Sequence, residues 1–154
     1  MDEIIVYYVV NYSLKMTGGK VAAQTAHATQ LLMQDYLELA MHNRFPSRQN
    51  PKEFYSMYDE YWELFDDWLD SNYKKVILSA NQSQWEYLKK SKQKHLIVVD
   101  MGLNEIKPNS ETVMVFYPME KSTVPKQIAK LQTYKCPANK EPTAEKSNSE
   151  STES

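Results

Sequence analysis

Residues 4–28 decide the fold of this chain, and they read IIVYYVVNYSLKMTGGKVAAQTAHA. The first seven are an unbroken run of β-branched and aromatic residues. Such a run predicts a strand buried on both faces, as at the centre of a sheet that has helices on each side. A polar loop with two glycines follows Asn11, and from about Lys20 most residues are good helix formers. The stretch therefore predicts a strand, a loop and a helix at the heart of an α/β protein.

The rest of the chain repeats this alternation of strands and helices. Hydrophobic runs predict three further strands at residues 76–78, 95–100 and 112–117. Further helices are predicted at residues 52–70, after a cap at Asn81 or Ser83, and over residues 122–134. Together these elements predict an α/β fold with three layers, α/β/α, around a sheet of about four strands.

Residues 51–70 form an acidic segment rich in aromatic side chains. Seven aspartates and glutamates stand there against Lys52 alone, and apolar side chains recur every three or four positions. We interpret the apolar stripe as the face of a helix that packs on the core or acts as a lid. A groove for a partner is the alternative. We predict one domain over residues 1–135, followed by a disordered acidic tail over residues 136–154.

The composition excludes several classes of protein. No apolar run approaches the roughly 20 residues of a membrane helix, and the N-terminus lacks the basic flank of a signal peptide. A single cysteine, Cys136, suits a reducing compartment, and three scattered histidines show no metal-ligand spacing. We therefore expect a cytoplasmic protein without a metal site. The net charge is −2, but outside the acidic segment and the tail the chain is modestly basic, which suits a phosphate-bearing ligand.

The turn Gly18-Gly19-Lys20 is the first candidate site. Glycines allow a sharp turn into the helix, the helix N-terminus favours an anion, and Lys20 adds a full positive charge. The spacing of a Walker A loop is absent, and a plain loop is the alternative interpretation. Gln24 and His27 lie about one and two helical turns after Lys20, on the same helix face.

Asp100 is the second candidate, because it ends a hydrophobic strand. In open α/β sheets, ligands bind outside the carboxyl ends of the strands. If the strands that precede Lys20 and Asp100 run parallel, the two side chains lie at the same sheet edge. A cap on the following turn is the alternative role for this aspartate.

Taken together, these motifs resemble a known family. Residues 14–28, LKMTGGKVAAQTAHA, are similar to the signature of the archaeal- and eukaryotic-type peptidyl-tRNA hydrolases, the second of the two peptidyl-tRNA hydrolase families. The resemblance continues at Trp68, at Asp100-x-Gly102, at Thr112-Val113 and at Lys130-Leu131. It covers most of residues 5–134, and the chain resembles a divergent member.

The resemblance implies a mixed four-stranded sheet and a homodimer that needs no metal or cofactor. It also implies hydrolysis of the ester between a peptide and tRNA, so that peptidyl-tRNA is the expected partner. The catalytic residues that it implies are Lys20, Asp100 and Thr112, with Asn104 where the family has a second threonine. The substrate-binding residues that we expect are Gly18, Gly19, Gln24, His27 and Lys107. Candidates for contacts with the tRNA backbone are Lys74, Lys75, Lys89, Lys90, Lys92, Lys94 and Lys107.

The chain departs from the family pattern in the segment after Asp100. Leu103 replaces a cationic residue, Glu105 follows Asn104 where the family has glutamine, and Asn109 replaces a glycine. These changes keep an alternative open, namely a catalytically impaired module on the same fold that binds a protein or tRNA.

Overall fold

The computed structural model describes residues 2–44, 51–102 and 105–137. Within these ranges the chain forms six strands and four α-helices, besides two single-turn 3₁₀ helices at Tyr12–Leu14 and Lys121–Thr123. In order, they are β1 (Ile4–Asn11), α1 (Gly18–Arg44), α2 (Pro51–Asp70), β2 (Lys75–Ala80), α3 (Gln82–Lys89), β3 (His95–Asp100), β4 (Ser110–Phe116), β5 (Met119–Glu120), α4 (Lys126–Ala129) and β6 (Gln132–Thr133).

β1 lies at the centre of a mixed sheet with the order β3-β4-β1-β2-β6, and β5 pairs with the beginning of β1. β1 runs parallel to β2 and antiparallel to β4, and β3 is also antiparallel to β4. β1, β2 and β3 therefore point the same way, and their carboxyl ends share one edge of the sheet.

Helices cover both faces of this sheet. Val6 and Tyr8 of β1 belong to a core shared with α1 and α2, whereas the alternate residues face a second core that contains Trp85 of α3 and Ile128 of α4. Every residue of β1 is buried, as expected of a strand covered on both sides. The predicted three-layer α/β/α arrangement is confirmed.

The apolar stripe of the acidic segment packs against the core in the half whose side chains are described. Phe65 and Trp68 are buried, and Trp62 stacks on Tyr36 of α1 with the ring centroids 5.0 Å apart. The core-facing interpretation is confirmed for residues 61–70. The side chains at residues 54–58 lie outside the described part.

The sheet has more strands than the four predicted. β5 and β6 contain two residues each, which is too short for any alternation of apolar and polar residues. Backbone pairing alone defines them, since β5 pairs with β1 and β6 pairs with β2.

The helix predicted over residues 122–134 is wrong for most of its length. Pro125 has no N–H for a helical hydrogen bond, and it holds Val124 in an extended conformation with φ −60° and ψ 126°. Only the single turn of α4 follows, and the chain then pairs with β2 as β6.

The predicted domain boundary at residue 135 and the predicted disorder of the tail stay predictions, because residues 138–154 lie outside the described residues. None of the described helices combines the length and the apolar character that crossing a membrane requires.

Candidate active site

The N-terminus of α1 lies at the sheet edge where β1 ends. Thr17 caps the helix, since its hydroxyl oxygen accepts a hydrogen bond from the backbone N of Lys20 at 3.3 Å. A Cβ added at Gly18 would lie 2.9 Å from Sγ of Cys136, whereas a Cβ at Gly19 would meet nothing within 4 Å. There is therefore little room for a side chain at Gly18, whereas Gly19 has open space around it.

Lys20 and Asp100 form an ion pair, with 2.8 Å between Nζ and Oδ1. Their side chains are only 10% and 11% exposed. The two residues meet because β1 and β3 point the same way and end at the same edge, as the parallel arrangement predicts.

The carboxylate of Asp100 is held by three donors. Oδ1 accepts hydrogen bonds from Lys20 and from Nε2 of Gln24, the latter at 3.2 Å, and Oδ2 accepts the backbone N–H of Gly102 at 2.7 Å. The hydrogen bond from Lys20, followed by that from Gly102, lowers the pKa of Asp100 in spite of its desolvation. Asp100 is therefore ionised at neutral pH.

Thr112 lies behind this ion pair. The register of β3 and β4 shifts between Val98 and Val99, so that Thr112 is the extra residue of a β-bulge. Its hydroxyl donates to Oε1 of Gln24 at 2.7 Å, and its side chain is fully buried. Thr112 thus orients Gln24, which in turn donates to Asp100.

Two residues with positive φ shape the loop after β3. Gly102 has φ +72°, and a Cβ there would lie 2.3 Å from the backbone N of Pro108. Asn109 has φ 62°, and its backbone N donates to the Asp100 carbonyl at 2.7 Å. Asparagine tolerates this left-handed conformation better than most residues, so Asn109 preserves a turn that favours glycine.

Comparison with known proteins agrees with this geometry. The family model described as "Peptidyl-tRNA hydrolase PTH2" matches residues 4–134. The chain belongs to this family. It is also 28% identical over 128 residues to "Peptidyl-tRNA hydrolase" of Pyrobaculum aerophilum, a match that covers 79% of this chain and 90% of that protein. These matches support a hydrolase that acts on peptidyl-tRNA, and neither of them favours the non-catalytic module.

Glu105 contacts Thr17 beside this PTH2-family site, and the sequence did not predict that contact. Its carboxylate accepts hydrogen bonds from the hydroxyl of Thr17 at 2.5 Å and from the backbone N of Thr17 at 3.1 Å. These bonds, the one from the hydroxyl first, lower the pKa of Glu105. The two residues are 88 positions apart, so no local pattern could reveal that the loop is tied to the N-terminus of α1.

The other residues predicted for the PTH2-family site do not contact the Lys20–Asp100 pair in the described part of the chain. His27 is exposed on α1, and no described residue forms a hydrogen bond with its ring. Lys107 is exposed in the loop after β3. Asn104, together with Leu103, lies outside the described residues. Within the described ranges, no three histidine, cysteine, aspartate or glutamate side chains are grouped as metal ligands.

The lysines predicted to contact the tRNA backbone are spread over the molecule. Lys74 and Lys75 lie at the beginning of β2, and Lys94 precedes β3, so these three are at the edge opposite Lys20. Lys89 forms an ion pair with Glu111 at 2.9 Å. Their contacts with tRNA stay predictions.

Proposed function

We propose that the protein cleaves the ester between a peptide and tRNA at a centre formed by Lys20 and Asp100. The observation that carries this proposal is the shielded ion pair at the N-terminus of α1, on the sheet edge where ligands of α/β proteins bind. Gln24 contacts Asp100 directly, and Thr112 acts through Gln24.

In this mechanism a water molecule adds to the ester carbonyl carbon, and the carbonyl oxygen becomes negatively charged. The ammonium of Lys20 has three hydrogens and uses one for Asp100, so another can bind that oxygen. The positive end of the α1 dipole adds to the stabilisation. The bond between the carbonyl carbon and the ribose oxygen then breaks. The ribose oxygen takes up one proton of the attacking water, the other proton of that water is released to solvent, and free tRNA and a peptide carboxylate leave.

Asp100 orients Lys20 in this mechanism, and it is not the principal base. Its pKa is lowered by the hydrogen bond from Lys20, and a carboxylate that holds its charge this firmly accepts a proton from water poorly. All three donors fix its two oxygens before substrate binds, which is the preorganisation that lowers a barrier.

The remaining predicted residues are proposed to contact the substrate. Gly18 and Gly19 bring the first N–H groups of α1 to the edge of the site, and the exposed side chains of His27 and Lys107 have polar atoms available for RNA. Asn104 is proposed as a donor to the ester or ribose on the basis of its position in the family pattern alone.

The experiment is a hydrolysis assay on N-acetylaminoacyl-tRNA with the wild-type protein, Lys20→Ala and the matched control Lys121→Ala, whose ammonium pairs with Glu3 away from the site. We expect wild-type cleavage, a loss of about 100-fold in kcat/KM for Lys20→Ala, and no change for Lys121→Ala. Wild-type cleavage at the rate of buffer would overturn the proposal.

We also propose that the protein is a cytoplasmic homodimer. Support for a dimer comes from the family resemblance and from the outer edge strand β3, where Val99 and neighbouring Met101 are exposed. Support for the cytoplasm comes from the translation-related family. Light scattering after gel filtration measures the mass in solution, and a monomer at micromolar concentration would exclude the dimer.

A further inference from the structure

A cleft of about 450 Å³ lies on the same sheet edge as the Lys20–Asp100 site. It is bounded by the turn after β1, the beginning of α3 and the strand β6. The residues that line it include Tyr12, Asn81, Gln84, Lys130 and Lys135. We name it the Lys130 cleft.

The side-chain amides of Asn81 and Gln84, which line the Lys130 cleft, have only hydrogen-bond donors left over. Oδ1 of Asn81 accepts the backbone N–H of Gln84, and Oε1 of Gln84 accepts the backbone N–H of Asn81. Both partners are backbone donors, so the amide oxygens must face them. The two NH₂ groups have no acceptor among the described residues, and a ligand in the cleft meets donors.

The charges of the cleft also favour a ligand that offers hydrogen-bond acceptors. Neither Lys130 nor Lys135 pairs with a carboxylate in the described part of the chain, and no acidic residue is among the described residues that line the cleft. Two lysines, the amides of Asn81 and Gln84, and Thr133 thus line one space, together with Ser79 and Gln132. A ligand with several acceptor oxygens and negative charge, such as a phosphodiester, matches this set.

Tyr12 adds an aromatic surface at the lip of the cleft. Its side chain is 44% exposed, and its ring meets that of Tyr134 at an angle of 64° with the centroids 6.5 Å apart. An exposed ring beside a phosphate-binding group is the arrangement with which proteins bind single-stranded nucleic acid, since every base can stack on it.

The position of the cleft links it to the catalytic centre. Tyr12 follows β1 directly and Asn81 follows β2 directly, so the cleft shares the sheet edge with Asp100 at the end of β3. Three strand spacings separate the ends of β3 and β2, or roughly 14 Å. One substrate strand can therefore span both sites.

We propose that the Lys130 cleft binds a nucleotide in the single-stranded 3′ end of tRNA. Lys130, Lys135 and the two amides bind its phosphate, and Tyr12 stacks on its base. This inference rests on the proposed function, because it assumes that tRNA carries the ester to Lys20.

The first experiment measures the binding of uncharged tRNA over a series of salt concentrations. The double variant Lys130→Ala/Lys135→Ala is compared with Lys121→Ala/Lys126→Ala, which loses the same charge at exposed positions outside the cleft. We expect about tenfold weaker binding and a salt slope shallower by about 1 to 2 for the first variant, and wild-type values for the control. Equal behaviour of the two variants would overturn the inference.

The second experiment tests the stacking. Tyr12→Ala should weaken binding of a short RNA that ends in CCA by about tenfold or more, whereas Tyr12→Phe should bind as the wild type does. The matched aromatic variant separates stacking from a folding defect. Loss of binding in both variants, or AMP binding to the wild type as tightly as the RNA, would contradict the assignment to a tRNA strand.

Hydrolysis distinguishes this inference from the proposed function. The variant Lys130→Ala/Lys135→Ala should raise KM for N-acetylaminoacyl-tRNA about tenfold with kcat unchanged. An active wild type with an unchanged KM in the variant refutes the cleft and leaves the Lys20 centre standing. An inactive wild type refutes the catalytic proposal, and the binding measurements still decide the cleft.

Discussion

Two lysine–carboxylate pairs lie at opposite edges of the sheet in this protein. Lys20 and Asp100 meet where β1 and β3 end, and Lys74 and Glu3 meet where β1 and β2 begin. The first pair has side chains 10% and 11% exposed, and the second has side chains 45% and 41% exposed. The chemical groups are almost the same, but their surroundings differ.

The comparison shows that a lysine–carboxylate ion pair alone does not define a functional site. The burial and the additional hydrogen bonds around Lys20 and Asp100 distinguish that pair from the exposed one. Asp100 also binds Gln24 and the backbone of Gly102, so the position of the Lys20 ammonium is set before a substrate arrives. The exposed pair is screened by water and salt, and it contributes little. Variants at the two pairs, and at the residues around the first pair, can test this difference.

The largest effect is expected at Asp100. Asp100→Asn keeps the size of the side chain and removes the charge that orients Lys20. We expect kcat/KM for N-acetylaminoacyl-tRNA to fall about 100-fold while the far-UV circular dichroism spectrum stays that of the wild type. An Asp100→Asn protein with wild-type activity would show that the ion pair is not the centre.

The next effect is expected at Gly102. In Gly102→Ala the new Cβ would lie 2.3 Å from the backbone N of Pro108, so the loop must shift and its N–H must leave Asp100. We expect a loss of stability of about 1–3 kcal/mol and at least tenfold lower activity.

Gly19→Ala is the matched control for that prediction. A Cβ at Gly19 meets nothing within 4 Å, and alanine suits a helix better than glycine. Thermal unfolding of the two variants should therefore differ in sign. Equal destabilisation by both would mean that the loop conformation is not the cause.

A smaller effect is expected at Thr112. Thr112→Val leaves the buried Oε1 of Gln24 without its donor, whereas Thr112→Ser keeps the hydroxyl. We expect the valine variant to lose about 1–3 kcal/mol of stability and severalfold in kcat with KM unchanged. The serine variant should recover kcat. If serine fails to restore kcat, Thr112 does not act through Gln24.

The smallest effect is expected at the exposed pair. Glu3→Gln should leave both the free energy of unfolding and hydrolysis nearly unchanged, because both side chains are in contact with solvent. Urea titration and the hydrolysis assay measure the two quantities. A tenfold loss of activity in this variant would abolish the distinction between the two pairs.

The sequence predicted most of the centre of the fold, because the signals there are local. The continuous apolar run of β1 indicates a strand buried on both faces, and the glycines before Lys20 indicate the turn into α1. The meeting of Lys20 with Asp100 followed from strand direction alone. These features depend on the pattern of a single element, or on the rule that parallel strands end at the same edge of a sheet.

The features that escaped prediction depend on contacts between distant residues. β5 and β6 have no pattern of their own, and the predicted helix over residues 122–134 is reduced to α4, which begins only after Pro125 and ends at Ala129. Glu105 binds Thr17 only because the loop after β3 folds back onto α1. Thr112 lies at a bulge in the pairing of β3 with β4, and the residue types at that point do not predict a bulge.

The central claim is that Asp100 acts as an ionised group that orients Lys20. Its pKa is lowered by the hydrogen bond from Lys20 to below the ordinary value of 3.8, so it stays charged until the pH falls below that value. The most direct test is the pH dependence of kcat/KM for N-acetylaminoacyl-tRNA, measured in the wild type and in Asp100→Asn. We predict that the two proteins have profiles of the same shape on the acid side, from about pH 7 to about pH 5. A decline with a midpoint near pH 6 in the wild type that is absent in Asp100→Asn would contradict the account, because it would make Asp100 a base with a raised pKa.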